Sequence, residues 1–410
     1  MESTPTNNSK AIWILNHYAG SRIHGMEYRH YYLARNFQRL GFAPVIVCAS
    51  FHHLMTRRPE TRHGEVDGIP YVWVKTCRYE GNGLGRVLNM TQFSLKLACK
   101  RLQALPKPDV VIASSPHPFV AVNGARLAQR YRAKFIFEVR DLWPLTLLEV
   151  GGHSPRHPFI RAMVWAERTG YERCDRTVSL LGGAKDYMIA HGLDQRKFVH
   201  IPNGFDAEAR TDVESLPEQH RDVIAELKGV GKRIVLYSGS HGQINALDNV
   251  IEAAGRVGDA LPTHWLLVGQ GPEKERLQQR AGEAGLRNVT FLPPVTRPQM
   301  FALTGAVDVG YVGLQKRDLF KYGVSPNKLF EYMAAKLPVI FAIDTADDEV
   351  AQARAGFSIP AEDPDALAET LRQIAALSPE QLREMGARGR KHVEDTHSYD
   401  VLAQRYTELF

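Results

Sequence analysis

The chain has 410 residues, of which 44% are hydrophobic and 23% are charged. A chain of this length normally divides into two domains, and the composition is that of a globular protein without low-complexity tracts. No apolar run reaches the ~18 residues of a membrane-spanning helix, and the polar N-terminus does not resemble a signal peptide. The four scattered cysteines lack metal-ligand spacing and favour a reducing cytoplasm.

The net charge of +6 hides an asymmetry between the halves of the chain. Residues 1–205 carry 28 Lys and Arg against 15 Asp and Glu, whereas the remainder carries 23 against 30. A basic first half suggests an anionic partner, such as a membrane face, a phosphorylated acceptor or nucleic acid. The alternative is a surface charge without a function.

In the first half, apolar runs that predict strands alternate with segments of helical periodicity. Strands are predicted at 11–15, 44–50, 71–75, 109–114, 134–139, 176–181 and 197–205. Helices are predicted around 28–40, 88–105, 119–131 and 157–174. Nearly continuous apolar strands that alternate with helices are typical of a parallel sheet covered on both faces.

The second half repeats this pattern. Strands are predicted at 233–240, 264–271, 288–294, 306–312 and 338–343, and the intervening helices start near residues 246, 273 and 325. The two series predict an α/β protein with two doubly wound, Rossmann-like domains, residues 1–203 and 204–395. The two domains are separated where the stretch TDVESLPEQH interrupts the pattern. A last helix is predicted at about 396–410, but the pattern does not indicate which domain it joins.

Ligands of open parallel sheets bind beyond the carboxyl ends of the strands. The turns that follow the predicted strands are therefore the candidate sites, and two facing domains would bring them together across a cleft. The turns concerned are residues 16–27, 114–119, 139–146, 239–245, 269–273 and 313–328.

The stretch SPNKLFEYMAAKLPVI predicts a helix that can bind an anion. Ser325 suits the N-cap and Pro326 the first helical position. The unpaired amides and the helix dipole attract an anion, to which Lys328 adds a full charge. Asn327, Lys328 and Glu331 share one face. This face fits a sugar nucleotide, with its diphosphate at the helix start and its ribose on Glu331; the alternative is a surface Lys–Glu pair.

Two glycine-containing turns follow strands of the second half. In SGSHGQINAL, small residues let backbone amides approach a phosphate, and in LLVGQGPEKERL a planar base could lie against the backbone. The alternative for each is a tight turn that needs glycine for steric reasons. Neither G-x-G-x-x-G nor a P-loop is present, which disfavours dinucleotide and ATP-type binding.

In the first half, FEVRDLWP places Glu138, Arg140 and Asp141 at the carboxyl end of a strand. An acidic group there could orient an acceptor hydroxyl, and the alternative is an Asp–Arg pair that caps the turn. His117 and the pair Arg29–His30 are predicted to face the same cleft. For His117, an ordinary loop histidine is the alternative.

The segment GLGRVLNMTQFSLKLACKRLQAL mixes apolar residues with Arg86, Lys96, Lys100 and Arg101. A basic amphipathic helix of this kind can lie on an anionic membrane, although such helices more often pack on a sheet. No pattern typical of nucleic-acid binding is present.

Four stretches together carry a family resemblance: IPNGFD, LLVGQGPEKERL, SPNKLFEYMAAKLPVI and IPAEDPDALAETL. In this order they resemble the retaining glycosyltransferases of family 4, which have the two-domain GT-B fold. The resemblance extends over nearly the whole chain. RDLWP and LFKYGVSPNKLFEYMA resemble the branch that assembles O-antigen and other surface polysaccharides, including transferases of N-acetyl-fucosamine-type sugars.

The resemblance implies transfer of a sugar from a nucleotide-diphosphate donor, with UDP favoured, with retention of configuration and without a metal or other cofactor. The first domain would hold a polyprenyl-diphosphate-linked acceptor and the second the donor, and the last helix would cross back to the first domain. The enzyme would be cytoplasmic and peripheral at the inner face of the cell membrane, in contact with anionic lipid. No nucleic-acid partner is expected.

Two positions depart from the family pattern. The family motif has two glutamates: Glu331 matches the second, which holds the ribose, but the first falls on Gly323. The cations that many members place after the first donor-domain strand are absent from SGSHGQINAL. Lys328, helped by Arg317 or Lys321, would therefore carry more of the diphosphate charge.

These considerations define the candidate residues. Catalytic roles are predicted for Lys328, Asp141, Arg140 and His117, with Arg140 standing where many members have histidine. Donor binding is predicted for Ser325, Asn327, Leu329, Glu331, Gly239, Ser240, His241, Gly242, Asn245, Gly269, Gly271, Val295 and Lys321. Acceptor-side residues are Gly20, Arg29, His30 and Glu138.

The leaving group is a diphosphate, so the main catalytic need is to stabilise its developing negative charge. No carboxylate in the sequence suits the role of nucleophile in a double displacement. This favours direct attack of the acceptor on the face of the donor sugar from which the phosphate leaves. Two rival hypotheses are a nucleotide-sugar epimerase of the same fold and a non-catalytic nucleotide-sugar or polysaccharide-binding protein.

Overall fold

A computed structural model of the chain describes residues 9–25, 27–81, 83–97, 102, 105–207 and 214–410. The chain forms two compact units. The first unit runs to Pro202 and includes Tyr399–Phe410, and the second unit is Asn203–Ser398. Every helix among the described residues is too short or too polar to pass through a bilayer.

The first unit is built on an eight-stranded sheet whose order is β3-β4-β2-β1-β5-β6-β7-β8. The strands are β1 Ala11–Asn16, β2 Ala43–Ala49, β3 His63–Val66, β4 Ile69–Val74, β5 Val110–Ser114, β6 Lys134–Val139, β7 Arg176–Ser179 and β8 Phe198–His200. All neighbours pair in parallel except the edge strand β3, which pairs antiparallel with β4. Three of the four residues of β3 are exposed, so it lacks the apolar run by which the other strands are predicted.

Helices cover both faces of this sheet. They are α1 Arg29–Arg39, α2 Leu84–Leu97, α3 Phe119–Tyr131, α4 Leu145–Glu149, α5 Pro158–Arg173 and α6 Lys185–Ala190. The helix predicted at 88–105 thus starts earlier, and the predicted basic residues Lys100 and Arg101 lie outside the described residues.

The second unit has a six-stranded, fully parallel sheet in the order β11-β10-β9-β12-β13-β14. Its strands are β9 Arg233–Ser240, β10 Thr263–Gln270, β11 Val289–Leu292, β12 Val309–Gly313, β13 Val339–Ala342 and β14 Gly356–Ile359. Its helices are α7 Glu218–Gly229, α8 Leu247–Val257, α9 Lys274–Glu283, α10 Arg297–Ala306, α11 Asn327–Ala334, α12 Glu349–Ala353, α13 Pro364–Ala376 and α14 Pro379–His397. The predicted pair of doubly wound α/β domains is confirmed.

The last helix, α15, spans Tyr399–Thr407 and packs on α1 in the first unit. Tyr399 stacks on Tyr32, with ring centres 5.1 Å apart, and the buried Tyr406 meets Phe37 edge-on at 5.9 Å. The helix begins three residues after the predicted start at about 396, because residues 396–397 complete α14 and Ser398 has an extended backbone.

Candidate functional site

The carboxyl ends of β9 and β10 lie side by side in the second unit, where Gly239 is paired with Gly269. A Cβ atom on Gly269 would lie 1.9 Å from the carbonyl oxygen of Gly239, and one on Gly239 would lie 3.1 Å from Lys328 Nζ. Both residues have positive φ, +151° and +138° respectively. The two glycines therefore let two turns and one ammonium group converge where a side chain would not fit.

Lys328 stands in the first turn of α11 and is partly buried. Its Nζ lies 4.2 Å from the centre of the Tyr237 ring, which is within cation–π range. Burial lowers the pKa of Lys328 to about 8, against the opposing effect of Glu331. A cation near a helix N-terminus and beside a glycine turn is the kind of site that binds a phosphate.

The predicted cap of this helix is wrong by one residue. The N-cap is Pro326, the exposed Asn327 is the first helical residue, and no side chain caps the helix. The Ser325 hydroxyl instead accepts a hydrogen bond from the backbone N–H of Asn203 at 2.8 Å. The Asn203 amide donates to the Ser325 carbonyl oxygen, also at 2.8 Å. Ser325 thus anchors the segment that precedes the helix.

His241 begins the turn after β9, and its side chain is fully buried. Neither of its ring nitrogens has a hydrogen-bond partner among the described residues. Burial, together with the charges of Lys274 and Lys328, lowers the pKa of His241 to about 4, so the imidazole is neutral at physiological pH. Lys274 donates to the carbonyl oxygens of Gly269 at 2.8 Å and Leu292 at 3.0 Å.

The remaining residues of these turns shape the backbone. Asn245 Nδ2 donates to the Ser240 carbonyl oxygen at 3.0 Å, and Gly242 lies between them. A Cβ atom on Gly271 would lie 2.5 Å from the His241 carbonyl oxygen. The two turns are therefore packed against each other, as a close backbone approach to a ligand requires.

Glu331 lies one turn further along α11, in a small pocket that also contains Arg297 and Asp206. Burial raises the pKa of Glu331, whereas the charges of Arg297 and Lys328 lower it. The sequence analysis missed Arg297, which begins α10. Its position shortly after β11, beyond the carboxyl end of a strand, is the signal that could have identified it.

Three other predicted donor-side residues, and Gly323 at the position of the family's first glutamate, have different surroundings. The Leu329 side chain is fully buried in the core of the second unit, and the predicted ligand contact of this residue stays a prediction. Val295 packs against the same core. Lys321 is exposed with its Nζ 5.2 Å from the Tyr322 ring, and the buried Gly323 has a φ of +113° that favours glycine.

In the first unit, Arg29, His30 and Glu138 form one buried network. Glu138 accepts hydrogen bonds from Arg29 Nε at 3.0 Å, from the Ser114 hydroxyl at 2.6 Å and from the Tyr406 hydroxyl, and it lies 3.0 Å from His30 Nε2. Burial alone would raise the pKa of Glu138, but Arg29 and His30 hold it well below its usual value. All three predicted residues are at most 1% exposed. The network joins α1, β6 and α15, and the predicted acceptor contacts of these buried residues stay predictions.

Gly20, Arg140 and Asp141 lie in the turns after β1 and β6. Arg140 pairs with Glu27 at 2.8 Å and Asp141 is exposed, so the two do not form the Asp–Arg pair considered as an alternative. Gly20 is buried, and its N–H donates to the Glu27 carbonyl oxygen at 2.9 Å. Asp141 is exposed, and its predicted contact with an acceptor stays a prediction.

His117 lies in the turn between β5 and α3, but its side chain is not open to solvent as the sequence suggests. It is 1% exposed, and its Nε2 lies 3.0 Å from Nδ1 of His17, which is equally buried. Burial lowers the pKa of His117 to about 3, with a smaller effect of Arg86. His117 thus packs against His17 inside the first unit, and its predicted catalytic contact with a substrate stays a prediction.

One group of potential metal ligands is found among the described residues, namely Glu349, His392 and His397. It ties α12 to α14, since His392 Nε2 and Glu349 Oε2 are 2.6 Å apart, and the His397 ring stacks on Phe330 of α11. This group therefore joins three helices of the second unit through side-chain contacts.

Both units match models of known protein families. Residues 24–204 match the glycosyl transferase 4-like domain, and residues 232–376 match the glycosyl transferases group 1. The two matches follow the division of the chain into units, with a 4-like match in the first unit and a group 1 match in the second.

Two curated relatives share part of the sequence. WcaI of Escherichia coli K12, described as a colanic acid biosynthesis glycosyl transferase, is 31% identical over 56% of both chains. A GDP-mannose-dependent monoacylated α-(1-6)-phosphatidylinositol monomannoside mannosyltransferase of Corynebacterium glutamicum is 27% identical over 52% of this chain and 55% of the relative. The chain spans about half the length of the curated relatives it matches.

Solved structures of low sequence identity share the fold. A sucrose-phosphate synthase of Thermosynechococcus elongatus has a TM-score of 0.74 at 16% identity, with 98% of both chains covered. Anabaena HepE in complex with UDP-glucose has a TM-score of 0.65 at 14% identity, with 97% of this chain and 98% of that chain covered. WaaG, a glycosyltransferase involved in lipopolysaccharide biosynthesis, has a TM-score of 0.67 at 17% identity, with 97% of this chain and 99% of that chain covered.

Proposed function

We propose that the chain is a retaining, metal-independent glycosyltransferase of surface polysaccharide assembly, which moves a sugar from a nucleotide-diphosphate sugar to a lipid-linked saccharide. The relative WcaI and the UDP-glucose complex of the fold neighbour HepE support this proposal. The observation that carries it is the partly buried ammonium group of Lys328, beside Gly239 and in the first turn of α11.

In the proposed donor complex, Lys328 and the first amides of α11 bind the diphosphate, and Glu331 accepts hydrogen bonds from the ribose hydroxyls. His241 supplies a neutral ring close to Lys328. As the bond between the sugar and the phosphate breaks, these groups stabilise the charge that develops on the phosphate. The acceptor oxygen attacks the anomeric carbon on the face that the phosphate leaves and passes its proton to that phosphate.

The first unit supplies the acceptor site in this proposal. The exposed carboxylate of Asp141, at the carboxyl end of β6, is placed to orient an acceptor hydroxyl. The excess of basic residues in this half suits an anionic lipid surface, and the enzyme would work at the cytoplasmic face of the membrane.

The test begins with a thermal-shift screen of UDP-, GDP-, dTDP- and ADP-sugars, because a bound donor stabilises the fold. The stabilising donor is then incubated with and without a lipid-linked acceptor, in the presence of EDTA. Acceptor-dependent nucleotide release, with an α- or β-linkage that matches the donor, supports the proposal. Donor isomerisation without acceptor would indicate an epimerase, and binding without turnover a non-catalytic protein.

A further inference from the structure

The first unit contains a cavity of about 540 Å³ that has no part in the proposed donor chemistry. Its apolar walls come from α2, from α4 and from the start of α5, and they consist of Leu84, Val87, Met90, Leu147, Phe159 and Ile160. The volume lies within the ~300–1,000 Å³ typical of small-molecule sites. Walls of this kind favour a hydrocarbon group over a sugar, because they offer apolar contact and few hydrogen-bond partners.

Arg86 lines one part of this cavity. Its Nε donates to the Tyr18 hydroxyl at 3.2 Å, and its guanidinium carbon lies 5.9 Å from the ring centre of Trp143, which also lines the cavity. Tyr18 comes shortly after β1, so Arg86 connects the cavity with the carboxyl ends of the sheet, where ligands bind. A guanidinium group in this position can hold a phosphate by two hydrogen bonds.

The outer side of α2 carries a row of exposed leucines that begins at the cavity. Leu84, Leu88 and Leu95 are 88%, 52% and 66% exposed, and their helical spacing places them on one side of α2. A row of large apolar side chains in contact with water marks an interaction surface. An apolar row of this kind on an otherwise packed helix is typical of a helix that rests on a bilayer, and Lys96 lies on another side of α2, where its Nζ donates to the Lys75 carbonyl oxygen at 2.6 Å.

We propose that the cavity binds the hydrocarbon chain of a lipid-diphosphate-linked acceptor, that Arg86 binds its diphosphate, and that the leucine row of α2 contacts the bilayer that supplies it. This inference rests on the proposed transfer to a lipid-linked acceptor and assigns residues to that substrate. The saccharide of the acceptor then extends towards the carboxyl ends of the sheet, where Asp141 lies.

Farnesyl diphosphate, farnesol and inorganic diphosphate are suitable probes for the full-length protein, with binding followed by calorimetry. The wild type is expected to bind farnesyl diphosphate at least about tenfold more tightly than inorganic diphosphate. Val87→Trp and Leu147→Trp fill the cavity and should each weaken this binding about tenfold or more. Arg86→Gln should weaken binding of farnesyl diphosphate but leave binding of farnesol unchanged.

Val230→Trp is the matched control, because Val230 is 69% exposed in the second unit and should bind all probes as the wild type does. Unchanged farnesyl diphosphate binding in both cavity variants would overturn the inference, as would equally tight binding of inorganic diphosphate to Lys328→Ala, in which the proposed donor site has lost its cation. The thermal shift with the donor sugar is measured on the same samples. A protein that binds the prenyl probe in the cavity but turns over no donor would contradict the proposed function and leave the cavity assignment intact.

Discussion

Lys328 is a partly buried cation whose environment is built by residues distant in sequence. Tyr237 offers its ring, Gly239 leaves room for the ammonium group, and the N-terminus of α11 adds its dipole. None of these neighbours is a carboxylate in direct contact, so the positive charge is available to an anion. The first two predictions concern this charge.

Replacing the ammonium group should slow the chemical step. Lys328→Ala is expected to lower kcat about 10²- to 10³-fold, or about 2.7–4 kcal/mol, as loss of a group that stabilises transition-state charge does. Steady-state kinetics with saturating donor measures the effect. Lys391→Ala, which removes an exposed lysine of α14, is the control. Wild-type turnover in Lys328→Ala would refute the assigned role.

The lowered pKa of Lys328 predicts a pH dependence. The side chain loses its proton, and with it the charge that we propose binds the diphosphate, as the pH rises through about 8. The kcat/KM for the donor should therefore decline above that pH. In Lys328→Arg the decline should be absent, because arginine stays protonated. Identical pH profiles of the two proteins would show that another group titrates.

Glu331 should act on binding more than on chemistry. Glu331→Gln weakens the hydrogen bonds to the ribose hydroxyls, which for a charged acceptor are worth about 1.5–3 kcal/mol, so the donor Kd should rise at least about tenfold. Calorimetric titration with the donor nucleotide tests this expectation. Glu384→Gln, on the exposed face of α14, should bind as the wild type does.

At the scale of elements, the network around Glu138 attaches α15 to β6 and α1. Arg29 also donates to the carbonyl oxygens of Pro202 at 2.6 Å and Ile201 at 3.1 Å, so the chain is fixed where it leaves the first unit. A buried ion pair of this kind is weak evidence of net stabilisation, but breaking it is costly because one charge stays buried alone.

Breaking this network should destabilise the first unit. Glu138→Gln leaves the Arg29 charge buried and should cost about 3–5 kcal/mol of the free energy of unfolding. Tyr406→Phe removes one hydroxyl and should cost less, about 1–3 kcal/mol. Urea unfolding of both variants measures these losses, and Glu408→Gln near the exposed end of α15 is the control. A Glu138→Gln protein as stable as the wild type would contradict the network's role.

The elements that could be predicted from the sequence are those whose burial produces a continuous pattern of apolar residues. β9 and α3 were predicted at their observed bounds, because a strand covered on both faces is apolar throughout and an amphipathic helix repeats its apolar residues. β3 and α4 are short and mostly exposed or half-buried, so they carry no such pattern.

The candidate site was predictable in position but only partly in contacts. Parallel strands place their following turns at one edge, which is why Lys328 and Gly239 could be associated from the sequence. Burial could not be predicted in the same way. Arg29 and Glu138 neutralise each other across 109 positions, and His17 meets His117 across 100, so nothing local to either residue reveals its partner.

At the scale of the whole molecule, buried neutral histidines should make the protein sensitive to acid. The pKa of His117 is about 3 in the folded chain and ~6.5 in an unfolded one, so the unfolded chain binds more protons between these values. Stability should therefore fall as the pH drops below ~6.5, by up to ~1.4 kcal/mol per pH unit for each such group. His17 and His52, whose pKa values are also lowered mainly by burial, act in the same direction.

Urea unfolding between pH 7 and pH 5 measures this dependence. In His117→Gln the slope of the unfolding free energy against pH should be smaller, because one titrating group has been removed. His63→Gln, at an exposed position of β3, should keep the slope of the wild type. Equal slopes in the wild type and His117→Gln would contradict the assignment of a neutral, buried imidazole.

The position of α15 in the first unit also constrains biosynthesis. The ribosome makes residues 203–398 between the two parts of this unit, so a nascent chain that has emerged as far as Ser398 still exposes Phe37 and leaves Glu138 without the hydroxyl of Tyr406. The first unit, whose translation starts first, is thus completed only after the second unit has been made. Translation arrested once Ser398 has emerged from the ribosome should yield a ribosome-bound product whose first unit is open to protease while its second unit is already protected.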